Sequence, residues 1–98
     1  MSSKEIPEDP EQLLRAIVTN EELMALELAG FVRGKKRGKT MKVPLRKTRF
    51  SLAKQLCDLE KAWDSGNALE IKKALADVRN VAGCMFLIVQ RDEGDLNL

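Results

Sequence analysis

Apolar residues recur along this chain at helical spacing, and the breaks between them fall at residues that begin or end helices. Residues 1–9 are polar and carry Pro7, which predicts a flexible lead; Pro10 then suits a first helical turn with Asp9 as its cap. Glu11 to Val18 form a short helix. Thr19-Asn20-Glu21-Glu22 has the form of a capping box and marks either a new helix or a kink. From Leu23, apolar positions 23, 24, 26, 28, 31 and 32 include the i, i+3, i+4 and i+8 spacings of a buried stripe, with Gly34 as its natural stop.

Gly34 to Leu45 combines two glycines, a proline and several lysines, which predicts an exposed loop over 34–47 with an extended piece at Thr40 to Val43. Helix resumes near Thr48 or Ser51. Leu52, Leu56, Leu59 and Trp63 advance by four, three and four residues and share one face, with Trp63 expected as a core anchor. Gly66 suits a left-handed end-cap and Asn67 the next N-cap, so the helices at about 48–64 and 68–92 form an antiparallel hairpin. In the last helix Ile71, Leu75, Val78, Ala82 and Met85 form the expected core stripe. Beyond Val81 apolar residues surround the helix, which points to a subunit contact. Residues 93–98 read as a frayed tail.

The pattern thus predicts an all-α protein: one small helical bundle over residues 10–92, with the hairpin at its centre. At 98 residues its core is thin, and a homodimer or higher homo-oligomer is the expected completion. The longest purely apolar run, Cys84 to Val89, is far shorter than the ~20 residues of a membrane span. The first ten residues resemble neither a signal nor a transit peptide, so a cytoplasmic location is expected.

Cys57 and Cys84 fall on faces shared with Leu or Val and read as buried free thiols. The sequence has no histidine, which removes the commonest general base and the Ser-His and Cys-His nucleophile pairs. Any catalysis would rest on carboxylates and a hard metal.

The net charge of +2 hides a strong segregation. Nine bases and no acid lie between Arg33 and Arg49; the remaining eight bases face all 15 acids, a balance of −7. Such a block attracts phosphate or an acidic surface. Arg33, Lys35, Lys36, Arg37, Lys39 and Lys42 are its candidate phosphate or nucleic-acid contacts. No aromatic residue lies inside the loop between Phe31 and Phe50, so nucleic-acid contacts would be to backbone phosphates rather than to bases.

The stretch from Leu52 through Asp58, Trp63-Asp-Ser-Gly-Asn and Ala74 to Asn80 resembles the central helical hairpin of the MazG-like nucleotide pyrophosphohydrolases, in particular their short phage-type members. That resemblance implies converging carboxylates that hold Mg²⁺ on a nucleoside triphosphate and activate a water to release pyrophosphate. Asp58, Asp77 and Asn80 match the family's pattern. Lys54, Gln55 and Ala74 stand where it has glutamates. Two carboxylates therefore remain as metal candidates, Asp58 and Asp77, with Lys54 and Asn80 as ligand-binding candidates. Lys54 brings a positive charge to the place of the metal. The implied function is a module that binds a nucleotide or other phosphate-bearing ligand, with impaired or no pyrophosphohydrolase activity. The alternative is a non-enzymatic interaction protein, of phage or mobile-element type, whose basic loop binds nucleic acid or an acidic protein surface.

Overall fold

The computed structural model describes residues 5–38 and 45–92, the side chains of 45 and 46 excepted. The described residues form four helices and no strand: α1 (Pro10–Val18), α2 (Glu21–Lys36), α3 (Leu45–Ser65) and α4 (Ala68–Asp92). The expected extended piece at 40–43 and the tail at 93–98 lie outside the described residues.

Local chemistry sets most boundaries. Asp9 caps α1 by accepting from the Gln12 amide at 3.1 Å, and Pro10 sits in the first turn, where a missing N–H is harmless. The next cap is Asn20 rather than Thr19. Asn20 Oδ1 accepts from Leu23 N at 2.9 Å, while Thr19 Oγ1 donates back to the Arg15 carbonyl at 2.6 Å and closes α1. Asn67 Oδ1 accepts from Glu70 N at 3.1 Å to start α4, directly after Gly66 at φ +68°. This short link returns α4 antiparallel to α3, as the sequence predicts.

The basic segment is more helical than its composition suggests. α2 passes through Gly34 and ends at Lys36, and the glycine that turns the chain out is Gly38, at φ +76°. An interior glycine costs about 1 kcal/mol relative to alanine. Against that cost, the added turn keeps its backbone hydrogen bonds and places Arg33, Lys35 and Lys36 at the negative end of the helix dipole. α3 begins at Leu45, earlier than Thr48, so Lys47 and Thr48 occupy its first turns.

α4 is the axis of the fold. α3 packs along one side of it and α2 along another. The only buried residues among those described, Ala74, Ala76, Asn80 and Ile88, all belong to α4. Ile71, Val78 and Met85 are half-buried, but Leu75 and Ala82 face outward. The buried arc is therefore rotated from the expected stripe, because two helices rather than one cover α4. On α3, Leu52 and Leu59 are half-buried, whereas Trp63 is 64% exposed. Trp63 is not a core anchor: it stands beside the Gly66 turn, at the end of a two-helix layer.

α2 is fixed to α4 at one close crossing. A Cβ added at Gly30 would lie 2.5 Å from Asn80 Nδ2 and 3.0 Å from Asp77 Oδ1. Asn80 uses that space to donate from Nδ2 to the Glu27 carbonyl at 3.0 Å. Ion pairs flank the crossing: Lys72 with Glu22 at 2.7 Å, Arg79 with Glu27 at 3.5 Å and Arg33 with Asp77 at 3.2 Å. Partly exposed pairs of this kind contribute about 0–1 kcal/mol each, so they guide register more than they add stability.

Gly30→Ala forces Asn80 out of its hydrogen bond, and that loss outweighs the gain in helix propensity; a fall of about 1–3 kcal/mol in unfolding free energy is expected. Gly83, in α4, has nothing within 4 Å of an added Cβ. Gly83→Ala should raise stability by roughly 0.5–1 kcal/mol. Urea unfolding of the two variants at one protein concentration checks the opposite signs.

Candidate functional site

Because α2 and α3 each pack on α4 rather than on one another, a cleft remains between them. It has a volume of about 650 Å³, within the roughly 300–1,000 Å³ of small-molecule sites. The end of α2 supplies Gly30, Phe31, Arg33, Gly34, Lys35 and Arg37; the start of α3 supplies Lys47, Thr48, Ser51 and Gln55. The α4 floor is Asp77, Asn80, Val81, Cys84 and Ile88.

The walls differ in chemistry for reasons visible in the helical repeat. On α3, Lys47, Ser51 and Gln55 are spaced by four and form a polar stripe. On α4, Val81, Cys84 and Ile88 follow at three and four and give an apolar floor, with Ile88 1% exposed. Four cations from two helices, Arg33, Lys35, Arg37 and Lys47, line the same space. Its acid is Asp77, whose Oδ1 accepts from Arg33 Nη2 at 3.2 Å. Asn80 is 7% exposed, and its buried Oδ1 finds no hydrogen-bond partner among the described residues. An unsatisfied buried acceptor costs about 1–3 kcal/mol.

The cleft gathers some of the residues singled out in the sequence and leaves others outside. Asp77, Asn80, Arg33, Lys35 and Arg37 line it. Asp58, half-buried on α3, and Lys54, exposed, do not. Lys36 is exposed at the end of α2 outside the lining, and Lys39 and Lys42 lie outside the described residues. Lys47, Thr48, Ser51, Phe31 and Cys84 were not among the expected site residues. The four-residue spacing of Lys47, Ser51 and Gln55 was the signal, obscured by a helix start placed one turn too late.

Of the converging carboxylates that the family resemblance implies, the described lining of the cleft holds one, Asp77. No group of three or more Asp, Glu, Cys or His side chains suited to a metal occurs among the described residues. Asp77, the acid of the cleft, is already engaged by a guanidinium. What the arrangement offers is a cationic rim, hydroxyl and amide side chains on one wall, and an apolar floor.

Both cysteines are free, but their settings differ from the expected pair of buried thiols: Cys57 is exposed and Cys84 half-buried. Burial pushes the Cys84 thiol above its usual range. No helix among the described residues is long and apolar enough to cross a membrane. Comparison of the chain with known protein families, curated proteins and solved structures yields no match.

Since the thiolate is the reactive form, Cys57 should react with a disulfide-exchange reagent well before Cys84. The Cys84 rate should keep rising at pH values where free thiols have already ionised. Peptide mass spectrometry over a pH series reads both rates, and equal reactivity would contradict the burial described for Cys84.

Proposed function

We propose that the cleft binds a phosphate-bearing small molecule, with a nucleotide as its first candidate, and that the chain is a MazG-like helical module without the carboxylate set for pyrophosphohydrolysis. The observation that carries this reading is the convergence of Arg33, Lys35, Arg37 and Lys47 from two separate helices on one cleft with an apolar floor. Cations scattered on a surface need no ligand. Cations that line the same cleft repel one another, and an anion relieves that repulsion.

The rest of the lining suits the two ends of a nucleotide. Phosphate oxygens would take the Arg and Lys donors, with the positive N-terminal end of α3 adding to the field. A base or other flat apolar group would rest against Phe31, Val81 and Ile88. Pairing of Asp77 with Arg33 favours binding without a metal, because the guanidinium already occupies the carboxylate that Mg²⁺ would need.

A second reading keeps the alternative drawn from the sequence. Lys36 and Arg49 are exposed outside the cleft and extend its positive charge over the surface. That extension favours a polyanion, either nucleic acid or an acidic protein face.

Thermal unfolding with nucleoside mono- and triphosphates separates these readings. A cleft ligand at about ten times its Kd adds about 1.4 kcal/mol, worth roughly 5–10 °C in a domain of this size. The gain should vanish in the Lys35→Ala/Arg37→Ala/Lys47→Ala variant, persist in Lys36→Ala, and need no Mg²⁺. Failure of every nucleotide to raise Tm, with DNA affinity that falls steeply with salt and depends on Lys36, would replace the nucleotide reading with the polyanion one.

A further inference from the structure

The cleft changes character along its length. α2 and α4 run in the same sense, since Glu22 meets Lys72 and Glu27 meets Arg79. With Gly30 opposite Asn80, the end of α2 carries Lys35 and Arg37 past Asn80 in the direction of Ile88. α3 runs the other way, and Ser51 lies as far from Gly66 along the chain as Val81 does. Lys47, one turn beyond Ser51, therefore stands level with the stretch between Val81 and Ile88. Three cations gather at one end of the cleft, and Asp77 and Asn80 lie at the other.

That second end is a pair of acceptors. Asp77 and Asn80 are three residues apart on α4 and so share a face. Asn80 donates from Nδ2 to the Glu27 carbonyl at 3.0 Å, which fixes the sense of its carboxamide and leaves Oδ1 without a partner among the described residues. The same atom is closed to solvent, so water does not satisfy it either. Asp77 accepts from Arg33 through Oδ1 at 3.2 Å. A carboxylate has a second oxygen, and that one is bonded to no described residue. Phosphate, an acceptor at every oxygen, is repelled by this end. The group it suits brings N–H donors and no negative charge.

We infer that the Asp77–Asn80 end reads the base of the nucleotide proposed above, and that the base it selects is guanine. The N1–H and 2-amino donors of guanine face Asp77 and Asn80 Oδ1, while the phosphate lies among Lys35, Arg37 and Lys47 and the ring rests on Phe31 and Val81. Guanine presents two adjacent donors on one edge of a neutral ring. Adenine sets a single amino group beside a ring nitrogen that is itself an acceptor, and so turns a lone pair towards the floor. A donor reaches Asn80 Oδ1 as the side chains beside it adjust on binding. An acceptor bare in the free chain and satisfied in the complex discriminates strongly, because a ligand without the donor leaves it bare.

This inference rests on the cleft binding a nucleotide, and calorimetric titration of the full chain without Mg²⁺ separates the two readings. The 5′-monophosphates of guanosine, inosine and adenosine share one phosphate and one sugar. Guanosine monophosphate should bind about tenfold or more tighter than the inosine form, which lacks the 2-amino group, and tighter still than the adenosine form. Asp77→Ala removes one acceptor without touching the Asn80–Glu27 contact that ties α2 to α4. It should collapse the preference for guanine while leaving the adenosine form bound at least as well as before, since the cleft becomes more positive. Equal binding of all three, lost in Lys35→Ala/Arg37→Ala/Lys47→Ala, overturns the base assignment and leaves the phosphate site standing; a preference for adenine does the same. A guanine preference undiminished in Asp77→Ala overturns the assigned residues. Absence of binding by all three overturns this inference together with the nucleotide reading.

Discussion

The close approach of α2 to α4 at Gly30 and Asn80 is the constraint on which the remaining architecture depends. Only a residue without Cβ leaves room for the Asn80 carboxamide, and that carboxamide reaches across to the Glu27 carbonyl. Each half of the contact makes the other necessary. With α2 held there and α3 held by the short turn at Gly66, α4 has protein on two sides. The gap between α2 and α3 is what remains. The cleft is therefore a consequence of two independent packings on one helix, and its width follows from where α2 crosses.

That geometry explains how so many like charges coexist in one place. Arg33, Lys35 and Arg37 end α2, where the helix dipole favours cations, while Lys47 begins α3, where the dipole disfavours one. Arg33 finds compensation in Asp77, 3.2 Å away. Of the acids that give the residues outside the basic block their −7 balance, Asp77 is the one found among the described residues that line the cleft. Charge segregated along the sequence has become charge segregated in space.

The fold class and the hairpin were legible because they rest on local signals: the Asp9 and Asn67 caps, the left-handed Gly66, and apolar residues at three and four. Where the reading missed, tertiary geometry decided. Gly34 looked like a stop, but a left-handed terminus needs one glycine and Gly38, four residues on, supplies it. Trp63 and Leu75 sat on good stripes, yet a stripe says only that residues share a face, not that another helix covers it. Asp77 and Asn80 were visible as polar residues in an apolar helix. Their joint placement opposite Arg33 and Gly30 was not, since no local pattern links positions nearly fifty residues apart. Asp58 and Lys54 were carried over on family resemblance and fall outside the cleft.

On the MazG-like reading, the missing carboxylates and the packing described here belong together. Ala74, which stands where the family has a glutamate, is 8% exposed on the most buried helix of the fold. A glutamate there would have to be buried, at a cost of several kcal/mol for a charge without a partner. Gln55, another of the replaced positions, lines the cleft as a neutral amide that can donate as well as accept, which suits a phosphate better than a second carboxylate would. On that reading Arg33, paired with Asp77, would take the place that the family gives to a metal. On the proposed reading, an anion site that uses arginine and lysine in place of Mg²⁺ would have little use for acidic ligands, so neutral residues at positions 55 and 74 are what a binding module, rather than a hydrolase, would be expected to show.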